Sequence, residues 1–151
     1  MNDSDALYQD AIKEFAQAAH GQGQLAVASG QPRGEARLDN PLCGDRVSVQ
    51  VAVAAGRIAA LAQQTKGCLL CRAAASVIGL RAAGQDEAGI AAAVAALADM
   101  LQQGTPPPAD WPELAMFAPA RAYPSRHRCV LLPFQALLAA VRNFPGAAAK
   151  K

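Results

Sequence analysis

Three short segments carry the residue types best able to do chemistry, and each contains cysteine. Asn40-Pro41-Leu42-Cys43-Gly44-Asp45 sets a thiol and a carboxylate side by side. Pro and Gly around Cys43 describe a tight loop just before a strand, and thiolate and carboxylate are both competent zinc or iron ligands. In Lys66-Gly67-Cys68-Leu69-Leu70-Cys71, Gly67 ends a strand and Cys68 opens a helix. The positive end of the helix dipole favours a thiolate there, and Lys66 adds positive charge. Cys71, three residues on, lies on roughly the same helix face. Arg126-His127-Arg128-Cys129 places a cysteine beside arginines and ahead of a last helix, again favouring thiolate over thiol.

Each of these residues also has a plainer reading. Free cysteine is often simply buried, and that applies most to Cys71. A lone Cys-x-x-Cys serves equally as a redox pair, as half a zinc site, or as one active cysteine beside a buried one. The thioredoxin-like case requires the motif near a parallel βαβ unit; here it follows an antiparallel hairpin. His20 and His127 read as solvated or locally bonded, and Asp45 standing alone would read as a turn residue. With no nucleophile elbow, no phosphate-binding glycine loop and two histidines, classical hydrolase chemistry is not expected.

The elements that must position these segments follow from periodicity. Ala6 to about Ala19 reads as an amphipathic helix, with Leu7, Ala11, Phe15 and Ala18 near one face, Tyr8 and Ile12 widening it, and Ser4 or Asp5 as cap. Gly21-Gln22-Gly23 stops it. Arg46 to Val53 alternates as a half-buried strand, Ala55-Gly56-Arg57 turns, and Ile58 to Thr65 returns; Glu35 to Leu38 adds a third antiparallel strand. Helices must cover one face of so small a sheet. Cys68 to about Ala82 and Asp86 to Gln103 read as helices, the second with Ile90, Val94, Leu97 and Leu101 on one stripe. Gly104 and Pro106-Pro107-Pro108 break it. Trp111 to Pro124 reads as irregular, with one short helix near Glu113. The last helix is expected from Pro133 to about Asn143. Residues 1–144 form one domain in this reading, with 145–151 a disordered tail.

Composition narrows the function classes. The 151 residues suit a single domain. Hydrophobic residues make up 52%, yet much of that is alanine, and only one Trp, two Tyr and four Phe are present. Thin, closely packed helices are therefore expected, with Leu, Ile, Val and Phe supplying most of the buried area. A net charge of +2 without a basic stripe gives no argument for nucleic acid. No apolar stretch is long and charge-free enough for a bilayer, and the polar, acidic start is unlike a signal peptide. The expected location is the cytoplasm, where four cysteines are better read as metal-binding or reactive than as disulfides.

Taken together, the three cysteine segments resemble the IscU/NifU N-terminal scaffold family of iron–sulfur cluster assembly. The Asn-Pro-x-Cys-Gly-Asp block is the most specific, followed by Gly-Cys opening a helix and a basic residue before the last cysteine. The resemblance runs from Leu7-Tyr8 to about Val141. Arg128 stands where IscU has histidine, and the span from Cys68 to Cys129 is longer than in IscU. Both features, with Tyr123-Pro124-Ser125-Arg126-His127-Arg128-Cys129, look like the SufU branch.

The resemblance implies an α/β (α+β) fold, a three-stranded antiparallel sheet with helices packed on it. It implies a single site built from Cys43, Asp45, Cys68 and Cys129, holding zinc or an iron–sulfur cluster, with Cys71 a possible further ligand. It implies persulfide sulfur received from a cysteine desulfurase of the SufS type and passed on, as sulfur or cluster, to client apo-proteins. Cys43 is the candidate acceptor, because its Pro/Gly loop is the most exposed setting, and Arg126 is the candidate for docking the partner or steering the acceptor. Two departures stand out. The family's Pro-Arg-Asn element is missing from Ala16 to Gln24, so the usual N-terminal docking surface does not carry over. Cys71 replaces a customary serine, as an added ligand, a redox partner for Cys68, or a neutral exchange. The competing functions are a zinc carrier or structural zinc protein without sulfur transfer, and a redox module using Cys68 and Cys71.

Overall fold

The structure, a computed structural model, describes residues 10–25 and 32–145. Helix α1 (Asp10–Ala18) leads into strands β1 (Gly34–Asn40), β2 (Asp45–Ala54) and β3 (Arg57–Lys66), which pair in that order as one antiparallel sheet. Helices α2 (Leu69–Arg81) and α3 (Glu87–Gln103), a 3-10 helix (Pro112–Ala122) and α4 (Pro124–Arg142) follow. The expected start of the first helix, its Ser4 or Asp5 cap and residues 146–151 of the tail lie outside the described residues.

The sheet forms where alternation predicted it. Val47, Val49 and Val51 are fully buried on the inner face of β2, while Arg46 is exposed and Ser48 half-exposed on the other. The β2–β3 turn is tight, with Ala55 and Gly56 both in the left-handed region that a two-residue hairpin demands. Helix α4 packs across β1 and β2, and α2 packs on β3 and α4; α1 covers α2 from outside. Helix α2 is buried nearly all round, and its run Ala73-Ala74-Ala75-Ser76 lets its neighbours approach closely. The large buried side chains are Trp111, Phe117, Phe134 and a set of Leu and Ile, as the alanine-rich composition requires. Among the described residues no helix is long and apolar enough to cross a membrane.

Three expectations are corrected. The buried face of α1 centres on Ile12 and Ala16, with Phe15 half-buried, while Ala18 is exposed. The stretch after Trp111, expected to be irregular around one short helix near Glu113, is a 3-10 helix as far as Ala122: Trp111, Leu114, Phe117 and Ala120 are buried at every third position, the period of that helix. Trp111 stands edge-on to Phe134 of α4, ring centroids 5.5 Å apart, which ties the segment to the core.

The last helix begins at Pro124, nine residues before Pro133. Proline at the first helical position is the right signal, but Pro124 supplies it. Pro133 lies inside the helix and has no N–H to offer the carbonyl of Cys129. Cys129 is therefore a buried residue of α4, not part of a loop before it.

Candidate metal centre

The site gathers where the β1–β2 hairpin, the β3–α2 junction and the first turns of α4 meet. Asn40 and Asp45 are directly opposite each other in the β1–β2 register and close a four-residue loop, Pro41-Leu42-Cys43-Gly44. The residue before a proline is held extended, so Asn40 stays in the strand. Its main-chain carbonyl accepts N–H bonds from Cys43 (3.2 Å) and Gly44 (2.8 Å). Gly44, at φ 73°, takes the left-handed turn that brings the chain back into β2. Leu42 and Cys43 are thus displayed at the loop tip; Leu42 is 92% exposed and Cys43 is exposed.

Asp45 is the opposite case, a carboxylate only 1% exposed. Its Oδ1 accepts the Cys68 N–H at 2.9 Å, and its Oδ2 lies 3.9 Å from Cys68 Sγ. Gly67 makes room for it, since a Cβ there would fall 2.3 Å from Asp45 Oδ1. Cys68 is the N-cap of α2, and its sulfur accepts the Cys71 N–H at 3.5 Å. The expected helix-opening thiol is therefore present, but Cys71 points into the core and is fully buried.

Cys129 completes the cluster from below. Its Sγ lies 3.6 Å from Cys43 Sγ and 4.0 Å from Asn40 Nδ2. The ligand atoms of Cys43, Asp45 and Cys129 all fall within 4.8 Å of one another. Cys68 is outside that mutual group but touches it through Asp45. All four cysteines are free thiols. The 3.6 Å separation far exceeds a disulfide bond and is close to the ~3.8 Å between two sulfurs that share a tetrahedral zinc. The donor set of thiols and one carboxylate thus suits zinc or the iron of a cluster.

Burial reshapes the thiol chemistry. It pushes the Cys129 thiol well above its ordinary value, reinforced by Asp45 and by the Cys68 and Cys43 sulfurs. The expected help from neighbouring arginines does not materialise, because the helix turns Arg128 to solvent while Cys129 faces inward. Burial raises Cys71 likewise, with Asp45 and then Cys68 adding to it. An entering cation would have to displace a proton from Cys129.

Neither histidine joins the cluster. His127 Nε2 is 3.2 Å from the Arg121 carbonyl oxygen, and His20 stands edge-on to Phe15. Arg126 is half-buried in the first turn of α4. Two contributors to the site were not anticipated as site residues, Gly67 as the cradle of Asp45 and Asn40 as the partner of Cys129. Their signal was adjacency: each stands next to a motif cysteine or proline.

A family model described as the NifU-like N terminal domain matches residues 7–151. No curated protein matches significantly. Among solved structures, a nitrogen-fixing NifU-like protein (N-terminal) from Brucella abortus is similar over 99% of this chain and 100% of its own, at 29% identity and TM-score 0.87. A hypothetical protein is similar over 90% of this chain and 97% of its own, at 27% identity and TM-score 0.78. A candidate iron–sulfur cluster assembly scaffold protein for the SUF system from Fervidobacterium islandicum AW-1 is similar over 91% of this chain and 98% of its own, at TM-score 0.79. Its 20% identity speaks to the fold alone.

Proposed function

Because the chain belongs to the NifU-like N-terminal domain family, we propose that it is an iron–sulfur cluster assembly scaffold that takes persulfide sulfur from a cysteine desulfurase. Cys43, Asp45, Cys68 and Cys129 are the ligands in this reading, and apo-proteins are the recipients. The observation that carries it is the arrangement of the thiols. Cys43 is the one exposed thiol of the four, and it stands 3.6 Å from buried Cys129 and within reach of buried Asp45. One reachable sulfur thus belongs to the same group as buried donors.

Sulfur transfer to Cys43 is a thiol–persulfide exchange. The Cys43 thiolate attacks the terminal sulfur of the donor persulfide, a new S–S bond forms on Cys43, and the donor cysteine leaves as its thiolate. A cation on the same ligands, zinc or iron, keeps the thiols ionised. Asp45 supplies the harder oxygen donor, a more exchangeable ligand than a thiolate, which suits a site that must release its cargo. Arg126, half-buried in the first turn of α4, docks the partner or steers the acceptor in this reading. Cys71, buried behind Cys68, is left outside the ligand set.

Protein purified without air and analysed for metal and acid-labile sulfide tests this reading. Iron with sulfide, or one zinc per chain with sulfur uptake from a desulfurase, is the expected result. Metal without sulfur uptake would favour a carrier or structural role; a reversible Cys68–Cys71 disulfide with no metal would favour a redox module.

A further inference from the structure

Asn40 is 2% exposed, and among the described residues its Oδ1 is the one buried side-chain nitrogen or oxygen with no hydrogen-bond partner. A buried acceptor left unpaired is destabilising. The other end of the same amide has an occupation: Nδ2 lies 4.0 Å from Cys129 Sγ, at the outer limit of an N–H···S contact. The main chain of Asn40 meanwhile holds the Cys43 loop through two N–H bonds, and its register partner is Asp45. One residue therefore touches, tethers or faces three of the four proposed ligands.

We infer that Asn40 is a positioning residue: its amide N–H aims the Cys129 sulfur at the site and tunes how tightly that sulfur holds cargo. The inference rests on the ligand set proposed above. A hydrogen bond to a coordinating thiolate draws electron density from sulfur and fixes its direction, and such outer partners shift metal affinity and cluster potential. The orphaned Oδ1 is the consequence of orienting the amide for its donor.

Two variants of similar shape test this. Asn40→Leu removes the donor and also the unpaired acceptor, so the metal-free fold is spared that burden; Asn40→Asp keeps the outline but has no N–H. The probe is Co2+ bound to the reduced chain, read by its thiolate-to-cobalt charge-transfer band and by release to a chelator, beside thermal unfolding of the metal-free protein. The expected result is a shifted band and weaker retention, by about 10- to 100-fold, in both variants, with metal-free Asn40→Leu unfolding no earlier than wild type. An unchanged band and release rate in both variants would overturn the inference. So would early unfolding of metal-free Asn40→Leu with an unchanged band, which would make Asn40 a fold residue. Wild-type protein that takes up no Co2+ would instead sink the ligand assignment itself and this inference with it.

Discussion

At the residue scale the site is a compromise between burial and reactivity. Asp45 is buried at 1% exposure, held by the Cys68 N–H and given room by Gly67. Asp45→Ala is expected to weaken metal retention and also to leave the Cys68 N–H unpaired, at about 1–3 kcal/mol. Metal competition and denaturant unfolding read the two effects separately, and global unfolding alone would make Asp45 a fold residue. Gly67→Ala should mimic the first effect, because its Cβ would displace the carboxylate; normal metal retention in that variant would contradict the cradle. Cys71→Ser should keep the metal while destabilising the core, since a buried hydroxyl without a partner costs about 1–3 kcal/mol. Loss of metal with Cys71→Ser would promote Cys71 to ligand. The types and spacing of the cysteines were legible in the sequence. The neutral state favoured for Cys129 was not, because it comes from burial on a helix face and not from the arginines beside it in the chain.

At the element scale, whatever depends on local periodicity could be read and whatever depends on tertiary packing could not. The valine alternation of β2 and the Ala55-Gly56 turn specify the hairpins by short-range sterics. Pro133 misled because an interior proline usually ends a helix, whereas here it is buried among α4's neighbours and the helix runs through it. A short helix near Glu113 was expected, but its 3-10 type and its run to Ala122 escaped, because a three-residue period matches neither a strand nor an α-helix. Its Glu113 reaches back to Arg81 at the end of α2 through hydrogen bonds that include two of 3.0 Å. The hydrogen bond from Arg81 holds the Glu113 carboxyl below its usual value, against the opposing effect of burial. A lowered folded-state value means that the link contributes fully above the ordinary carboxylate range and fades as pH falls through the folded value. Unfolding midpoints measured from neutral to acid pH should show a small acid loss in wild type that Glu113→Gln lacks; identical pH profiles would remove this link from the account.

For the whole molecule, the fold turns one end of the sheet and two helix starts into a single mouth. Leu42 projects from it at 92% exposure, and Lys66, Arg72 and Arg128, each next to or near a proposed ligand, are exposed, whereas Arg46 is paired with Asp39 at 2.8 Å. Charge so placed speeds encounter with a partner of opposite sign and is screened by salt. Sulfur uptake from a desulfurase at limiting protein concentration should therefore slow as ionic strength rises; a flat salt response would assign docking to apolar contact such as Leu42.

Whether Cys43 is the sulfur acceptor of the ligand set can be read by incubating reduced wild-type protein and Cys43→Ser with a cysteine desulfurase and cysteine, then locating added sulfur by mass spectrometry of the intact chain and its peptides. Persulfide is expected on the Cys43 peptide in wild type and none on the variant. Sulfur arriving on Cys68 or Cys129 at an undiminished rate in Cys43→Ser would contradict it.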